Sequence, residues 1–208
     1  MKTNLKILAP LISSLALSLG CAPSARQEPV QAVFAIDVSC PIKARLIAYA
    51  GLIYQAQRSL APGSKVSILI FGHSAQLIYS GSRILGRDTF NADIGKYLSE
   101  PPNALTQPGT HFERLFDSIA RQVTKPCVIV IATDGGMEDH SKAVIKDLDQ
   151  CFACLAKKHI EGISLVGVSP AFRMEWQAWL KPFGAVARVR GMQDAGDIAT
   201  HPQAGGRS

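Results

Sequence analysis

Carboxylates and hydroxyls follow separate elements of this chain at positions where they could act together. Asp37 and Ser39 come directly after an apolar run, Asp134 follows a second apolar run, and Thr110 precedes a segment with helical periodicity. The carboxyl ends of parallel strands meet at one edge of an α/β sheet, so we expect these side chains to converge. A donor set made only of oxygens suits a hard cation, Mg²⁺ or alternatively Mn²⁺ or Ca²⁺, rather than Zn²⁺ or copper. The sequence therefore predicts that two carboxylates and several hydroxyls meet at this edge and offer a divalent metal ion a site with few direct ligands.

Each of these residues also has an ordinary structural interpretation. Asp37 or Asp134 alone could cap a helix or accept backbone hydrogen bonds at a strand end, and Thr110 alone could be a helix N-cap. His111 is expected to be a bystander. Their joint placement at the ends of successive elements favours a binding site over separate caps.

The elements that must position these residues alternate regularly along the chain. Strands are predicted at residues 32–36, 66–71, 76–79, 128–132, 163–168 and 185–189, and helices at 41–60, 91–98, 112–123, 141–158 and 172–182. Alternation of this kind indicates right-handed βαβ units and a sheet covered on both faces. The fold class is therefore a doubly wound α/β domain over residues 31–190, mainly parallel, with one short antiparallel edge strand at 76–79.

Asp37-x-Ser39, Gly109-Thr110 and the strand that ends in Thr133-Asp134-Gly135 resemble the metal-ion-dependent adhesion site (MIDAS) of the von Willebrand factor type A (vWA) domain family. The resemblance implies that Ser39 and Thr110 ligate the metal directly, while Asp37 and Asp134 act mainly through bound water. The family motif continues with a second serine, and Pro41 stands at that position. One direct hydroxyl ligand is thus missing, which leaves a metal-independent site open.

The first twenty residues read as an export signal. Lys2 and Lys6 precede an uncharged apolar stretch, and Cys21 follows Gly20 immediately. This pattern resembles a bacterial lipoprotein signal in which Cys21 carries the lipid, with an ordinary signal peptide or an uncleaved anchor as alternatives. Residues 21–30 are then a tether and 191–208 a disordered tail, and the protein would be anchored in the bacterial cell envelope, facing the periplasm or the exterior.

Composition and charge exclude several function classes. Of the 22 basic and 16 acidic residues, two lysines lie in the predicted signal, and the remaining excess is too diffuse to indicate nucleic-acid binding. Outside the N-terminus, no apolar run is long enough for a multi-span membrane protein.

Other residues that could carry chemistry are weaker candidates. Cys151 and Cys154 lie in the last turns of a predicted helix, where the helix dipole disfavours a thiolate, so packing thiols or a structural bridge are favoured over catalysis. The pairing of Cys40 and Cys127 with them is not readable. Ser169 lacks the second glycine of a nucleophile elbow, and Asp139-His140-Ser141 reads as a helix start.

The sequence thus favours a membrane-anchored binding module over an enzyme. Loops 38–41, 103–111 and 134–140 are expected to form a surface that captures an acidic side chain of a partner protein through the metal. The alternatives are a metal-independent scaffold of the same fold and, least favoured, a hydrolase. The partner, the membrane leaflet and the oligomeric state stay open.

Overall fold

The computed structural model describes residues 28–39, 43–106, 109–124, 126–137 and 142–191. Several predictions fall outside these ranges: the signal peptide, Cys21 and most of the tether, Cys40 and Pro41, the Asp139-His140-Ser141 cluster, and the tail beyond residue 191. The predicted domain boundaries therefore stay predictions.

Strands and helices alternate from residue 31 to residue 190. The strands are β1 (Gln31–Asp37), β2 (Lys65–Phe71), β3 (Ala75–Ser82), β4 (Cys127–Ala132), β5 (Ile160–Val166) and β6 (Ala187–Arg190). The helices are α1 (Lys43–Arg58), α2 (residues 87–99), α3 (Phe112–Gln122), α4 (Lys142–Ala156) and α5 (Arg173–Trp179). The middle of α2, Asn91–Gly95, is a π-helical turn.

The strands form one sheet in the order β3-β2-β1-β4-β5-β6. Every neighbouring pair is parallel except β2 and β3, which are antiparallel. From β1 the chain moves to β2 on one side and later to β4 on the other, so the order of strands reverses between β1 and β4. The predicted doubly wound, mainly parallel α/β fold is confirmed.

Both faces of the sheet are covered, which explains why its central strands are apolar throughout. Successive β1 residues point to opposite faces: Phe34 packs with α1 and α2, whereas Val33 and Ala35 pack with α3 and α4. The α3 residues placed on one face by their spacing, Phe112, Leu115, Phe116 and Ile119, are all buried. Helical periodicity thus correctly predicted the buried face of α3.

Some element limits differ from those predicted. β3 is longer than the short strand expected, because it pairs with β2 along its whole length although its sequence turns polar after Tyr79. β5 ends at Val166, before Gly167, whose φ of +92° turns the chain out of the sheet. α5 ends at Trp179, ahead of a 3₁₀ segment containing Pro182. In the described part of the chain, no helix has both the length and the apolar character needed to cross a bilayer.

Candidate functional site

The carboxyl edge of the sheet gathers most of the predicted site residues. We call this edge the rim and define it by residues 37–39, 72–74, 109–111 and 133–137. β1 and β4 are neighbours in register, with Ile36 opposite Ala132, so the residues that follow each strand emerge side by side. This is the point where the strand order reverses, and ligands of open α/β sheets bind at such points.

Asp37 is the most constrained residue of the rim. Its side chain is buried, and its Oδ1 accepts hydrogen bonds from the Ser39 backbone N–H at 2.9 Å and from the Ser39 hydroxyl at 2.6 Å. Its Oδ2 accepts a hydrogen bond from the Thr133 hydroxyl at 2.6 Å. Asp37 therefore fixes the loop after β1 and ties it to the end of β4.

Burial is the main influence on Asp37 and raises the pKa of its carboxyl, because a buried charge loses its hydration. The hydrogen bonds from Ser39 and Thr133 act in the opposite direction and favour the carboxylate, while the nearby Asp134 carboxylate adds a smaller increase. The two acidic groups are thus close enough to interact electrostatically.

Asp134 is more exposed and carries a cationic partner. Its Oδ1 accepts a hydrogen bond from the Gly136 N–H at 2.9 Å, and Arg45 Nη1 lies 2.5 Å from its Oδ2. Both ionic side chains are about one-third exposed. Arg45 was not among the residues predicted from the sequence to form the site. Its signal was available: a basic residue in the first turn of a helix opposes the helix dipole, and α1 carries no acidic residue there.

Thr133 is another residue of the site that was not among the predicted ligands, although it belongs to the Thr133-Asp134-Gly135 motif. It is fully buried, donates to Asp37 and accepts a hydrogen bond from the Gly135 N–H at 3.0 Å. Gly135 has a φ of +81°, and its carbonyl accepts a hydrogen bond from Trp176 Nε1 at 3.0 Å. Thr133 and Trp176 thus hold the loop that presents Asp134.

Thr110 reaches the rim through the backbone of Gly72. The N–H of His111, next to Thr110, donates to the Gly72 carbonyl at 3.0 Å. A Cβ atom at Gly72 would lie 3.3 Å from the Ser39 Cα. The Thr110 and Ser39 loops therefore both lie against Gly72, and Thr110 itself is buried.

His111, expected to be a bystander, has defined partners. Its Nδ1 lies 2.8 Å from Glu113 Oε1, and its ring meets that of His73 edge-on at 4.8 Å between centroids. Glu113 Oε2 is buried and has no hydrogen-bond partner among the described residues. His73, His111 and Glu113 therefore form a small cluster next to Thr110, and none of the three belongs to the predicted set of metal ligands.

The weaker candidates occupy structural positions. Cys127, Cys151 and Cys154 are free thiols. Cys151 packs against the core, and its Sγ contacts the Glu113 carbonyl at 3.5 Å. The Ser169 N–H donates to the Asp134 carbonyl at 2.8 Å, so Ser169 braces the rim loop.

The donor chemistry of the rim fits a hard divalent cation, with one competitor. Ser39, Thr110 and the two carboxylates offer only oxygens, and the described residues hold no cluster of three or more His, Cys, Asp or Glu side chains that could bind metal without hydroxyls. Arg45 already neutralises Asp134 in this arrangement. A metal ion and the Arg45 guanidinium would therefore compete for the same carboxylate.

No sequence model of a protein family and no curated protein sequence matches the chain. Several solved structures, however, have a similar fold. A von Willebrand factor type A protein from Catenulispora acidiphila is 15% identical with a TM-score of 0.58, covering 83% of this chain and 40% of its own. An aerotolerance-related membrane protein from Bacteroides fragilis is 18% identical with a TM-score of 0.55, covering 83% and 98%.

A third structure contains a metal. Proximal thread matrix protein 1 from the mussel byssus, with a zinc-occupied MIDAS motif, is 14% identical with a TM-score of 0.54, covering 83% of this chain and 45% of its own. This chain thus spans less than half of the Catenulispora and mussel proteins and nearly all of the Bacteroides one. At these identities the likeness concerns the fold. The described part of the chain has the von Willebrand factor type A fold.

Proposed function

We propose that this protein is a protein-interaction module whose contact surface is the rim. The observation that carries the proposal is the linked arrangement of Asp37, Ser39 and Thr133, with Asp134 beside them, on a vWA fold. Hydrogen bonds hold these oxygens in place before any partner arrives, and preorganised groups lose less entropy on binding.

In the metal-dependent version, Asp37, Ser39, Thr110 and Asp134 hold Mg²⁺ or a similar ion. The ion would supply an open coordination position for a carboxylate oxygen of the partner protein. The chain's own residues orient this site: Asp37 positions the Ser39 hydroxyl, and Gly136 positions Asp134. The mussel protein, whose MIDAS motif is occupied by zinc, supports divalent-metal use in this fold.

The metal-independent version is favoured by a different observation, the ion pair between Arg45 and Asp134. Arg45 supplies a positive charge next to the carboxylates without any bound ion. The rim then acts as a fixed polar surface, in keeping with the proline at position 41. In neither version do the residues of the rim act on a substrate, and we propose no catalytic activity.

Calorimetry with Mg²⁺ and Mn²⁺ on the full chain separates the versions. The metal-dependent version predicts measurable binding heat, and an Asp134→Ala variant should lose it. Partner capture from the native envelope, with and without chelator, provides the second readout. Capture that persists in chelator and in the Asp134→Ala variant would remove the metal-dependent version. Turnover of an ester or phosphate substrate that Asp134→Ala abolishes would contradict a binding module.

We further propose that the chain is lipid-anchored through Cys21 in the bacterial cell envelope. The similarity to a Bacteroides membrane protein supports this location in general terms. Mass spectrometry of the N-terminal peptide from bacterial membranes tests it: acylated Cys21 is expected, and a Cys21→Ser variant should leave the membrane fraction. An unmodified, uncleaved N-terminus would contradict the anchor.

A further inference from the structure

The end of the sheet opposite the rim is rich in exposed basic residues. We call it the basal face: β1, β2, β4 and β5 begin there, and α1, α3 and α4 end there. Among the described residues, its exposed cations are Arg58, Lys65, Arg121 and Lys157. The exposed acidic residues of the same described part are Glu28 and Glu161, and Asp117 pairs with Arg121 one helical turn away from this end.

Backbone and side-chain contacts join these positions into one surface. The Lys65 N–H donates to the Val30 carbonyl at 3.0 Å, and Gln31 Nε2 donates to the Gln122 carbonyl at 2.6 Å. Lys158 Nζ donates to the carbonyls of Ala120 and Val123 at 2.7 and 2.9 Å. The first residues of β1 and β2 and the ends of α3 and α4 are therefore linked at one end of the molecule.

Structural roles explain only part of this charge. Lys158 caps carbonyls at the end of α3, and Arg83 Nη1 donates to the Leu60 carbonyl at 2.6 Å. Arg58 and Arg121 lie in the last turns of their helices, where the dipole favours cations. Lys65 begins a strand, so no helix dipole accounts for it, and its side chain is exposed. Arg121 is paired with Asp117, so Arg58, Lys65 and Lys157 are the exposed cations left to meet an anionic surface among the described residues.

The N-terminal part of the chain enters at the same end. Residues 28–30 lead directly into β1, and the Val30 N–H donates a hydrogen bond to the Ser64 hydroxyl oxygen at 3.1 Å on the basal side. The preceding residues include the uncharged apolar stretch 7–20. An apolar segment held at a membrane would bring the basal face, rather than the rim, close to the lipid headgroups.

We infer that the basal face docks on anionic lipid headgroups through Arg58, Lys65 and Lys157. Basic residues near an anionic membrane each strengthen binding about fivefold. Docking by this face directs Asp37 and Asp134 away from the membrane, where a partner can reach them. The inference rests on the proposed attachment of the N-terminal segment to a membrane and does not depend on a metal at the rim.

The test is a vesicle-binding experiment on the full chain, using phosphatidylcholine vesicles with and without phosphatidylglycerol. The N-terminal segment contributes to both, so the gain on adding phosphatidylglycerol is the readout. The triple variant Arg58→Gln, Lys65→Gln, Lys157→Gln is compared with a matched triple on other faces: Lys96→Gln, Lys146→Gln, Arg188→Gln. All these side chains are exposed, and thermal melts check that both variants fold.

Wild type and the matched triple should bind anionic vesicles at least tenfold more tightly than neutral ones, and the basal triple should lose most of this gain. Raising the salt concentration to about 1 M should remove this gain in affinity in wild type and in both triple variants, because the Debye length falls to about 3 Å. Equal gains for the two triples, or no gain for wild type, would overturn the inference. Preference of the wild type for duplex DNA over anionic vesicles would overturn it too, by assigning the face to nucleic acid.

Discussion

Arg45 and Asp134 come from different elements, the start of α1 and the loop after β4, and form an ion pair with 2.5 Å between Nη1 and Oδ2. The pair places a protein cation where the family resemblance places a metal ion. Because both side chains are about one-third exposed, solvent screening keeps such a pair weak enough to open. We therefore expect Arg45 to determine how readily Asp134 could bind a metal ion.

An Arg45→Gln variant is expected to bind Mg²⁺ or Mn²⁺ about tenfold more tightly than wild type, since it removes a positive charge beside the predicted ligands. Titration calorimetry measures the affinity. Arg58→Gln is the matched control, because Arg58 lies at the other end of the same helix. The competition between Arg45 and metal would be refuted by equal affinity in wild type and Arg45→Gln.

Replacing Thr133 by valine should destabilise the fold by about 2 kcal/mol, because the buried Asp37 carboxylate loses the hydroxyl that donates to its Oδ2. Chemical denaturation gives the free energy of unfolding. Thr106→Val is the control: its exposed hydroxyl donates to the Asn103 carbonyl at 3.3 Å, and a change within about 0.5 kcal/mol is expected. Equal effects of the two substitutions would mean that the contact with Asp37 contributes nothing.

Two glycine-to-alanine substitutions should act in opposite directions. At Gly72 a Cβ would lie 2.2 Å from the Leu105 carbonyl oxygen, so Gly72→Ala must displace the rim backbone and should cost about 2 kcal/mol. At Gly51, inside α1, a Cβ meets nothing within 4 Å, and Gly51→Ala should stabilise by about 0.5–1 kcal/mol. Thermal melts measure both, and a Gly72→Ala variant as stable as wild type would show that the rim backbone yields freely.

The Cys127 thiol should make stability fall at high pH. Burial raises its pKa from 9.0 to about 12, so the folded state keeps a proton that the unfolded state releases. This contribution is complete below about pH 9 and decreases as the pH rises towards 12, by about 1.4 kcal/mol per pH unit. Denaturation curves measured between pH 9 and 12 should show that the free energy of unfolding falls more steeply with pH for wild type than for Cys127→Ala. Identical slopes would contradict a contribution from the Cys127 thiol.

Strand and helix identities followed from the sequence because β1, β2 and β4 are apolar on both faces and α3 repeats its apolar residues with helical spacing. The extent of the edge strand and the limits of the elements were predicted less accurately. β3 turns polar after Tyr79, yet backbone hydrogen bonds to β2 continue to Ser82. Where backbone pairing with a neighbouring strand, rather than side-chain burial, determines where a strand ends, the hydrophobic pattern of the sequence does not indicate that end.

The candidate site divides in the same way. Asp37, Ser39 and Asp134 were readable because they stand at fixed distances from strands, and strand ends in a parallel sheet share an edge. The ion pair of Asp134 with Arg45 was not readable, because the two residues are 89 positions apart and meet only because β1 and β4 lie side by side in the sheet.

The amino-acid sequence by itself determined the alternating elements, the parallel sheet and the edge at which the acidic and hydroxyl residues emerge, because local spacing and burial pattern specify these. The tertiary structure alone decided which charge neutralises which, that Thr133 holds Asp37, and that the exposed cations of separate elements form one basal face. These relationships join residues far apart in the chain, and only the packed positions of the helices on the sheet set their distances.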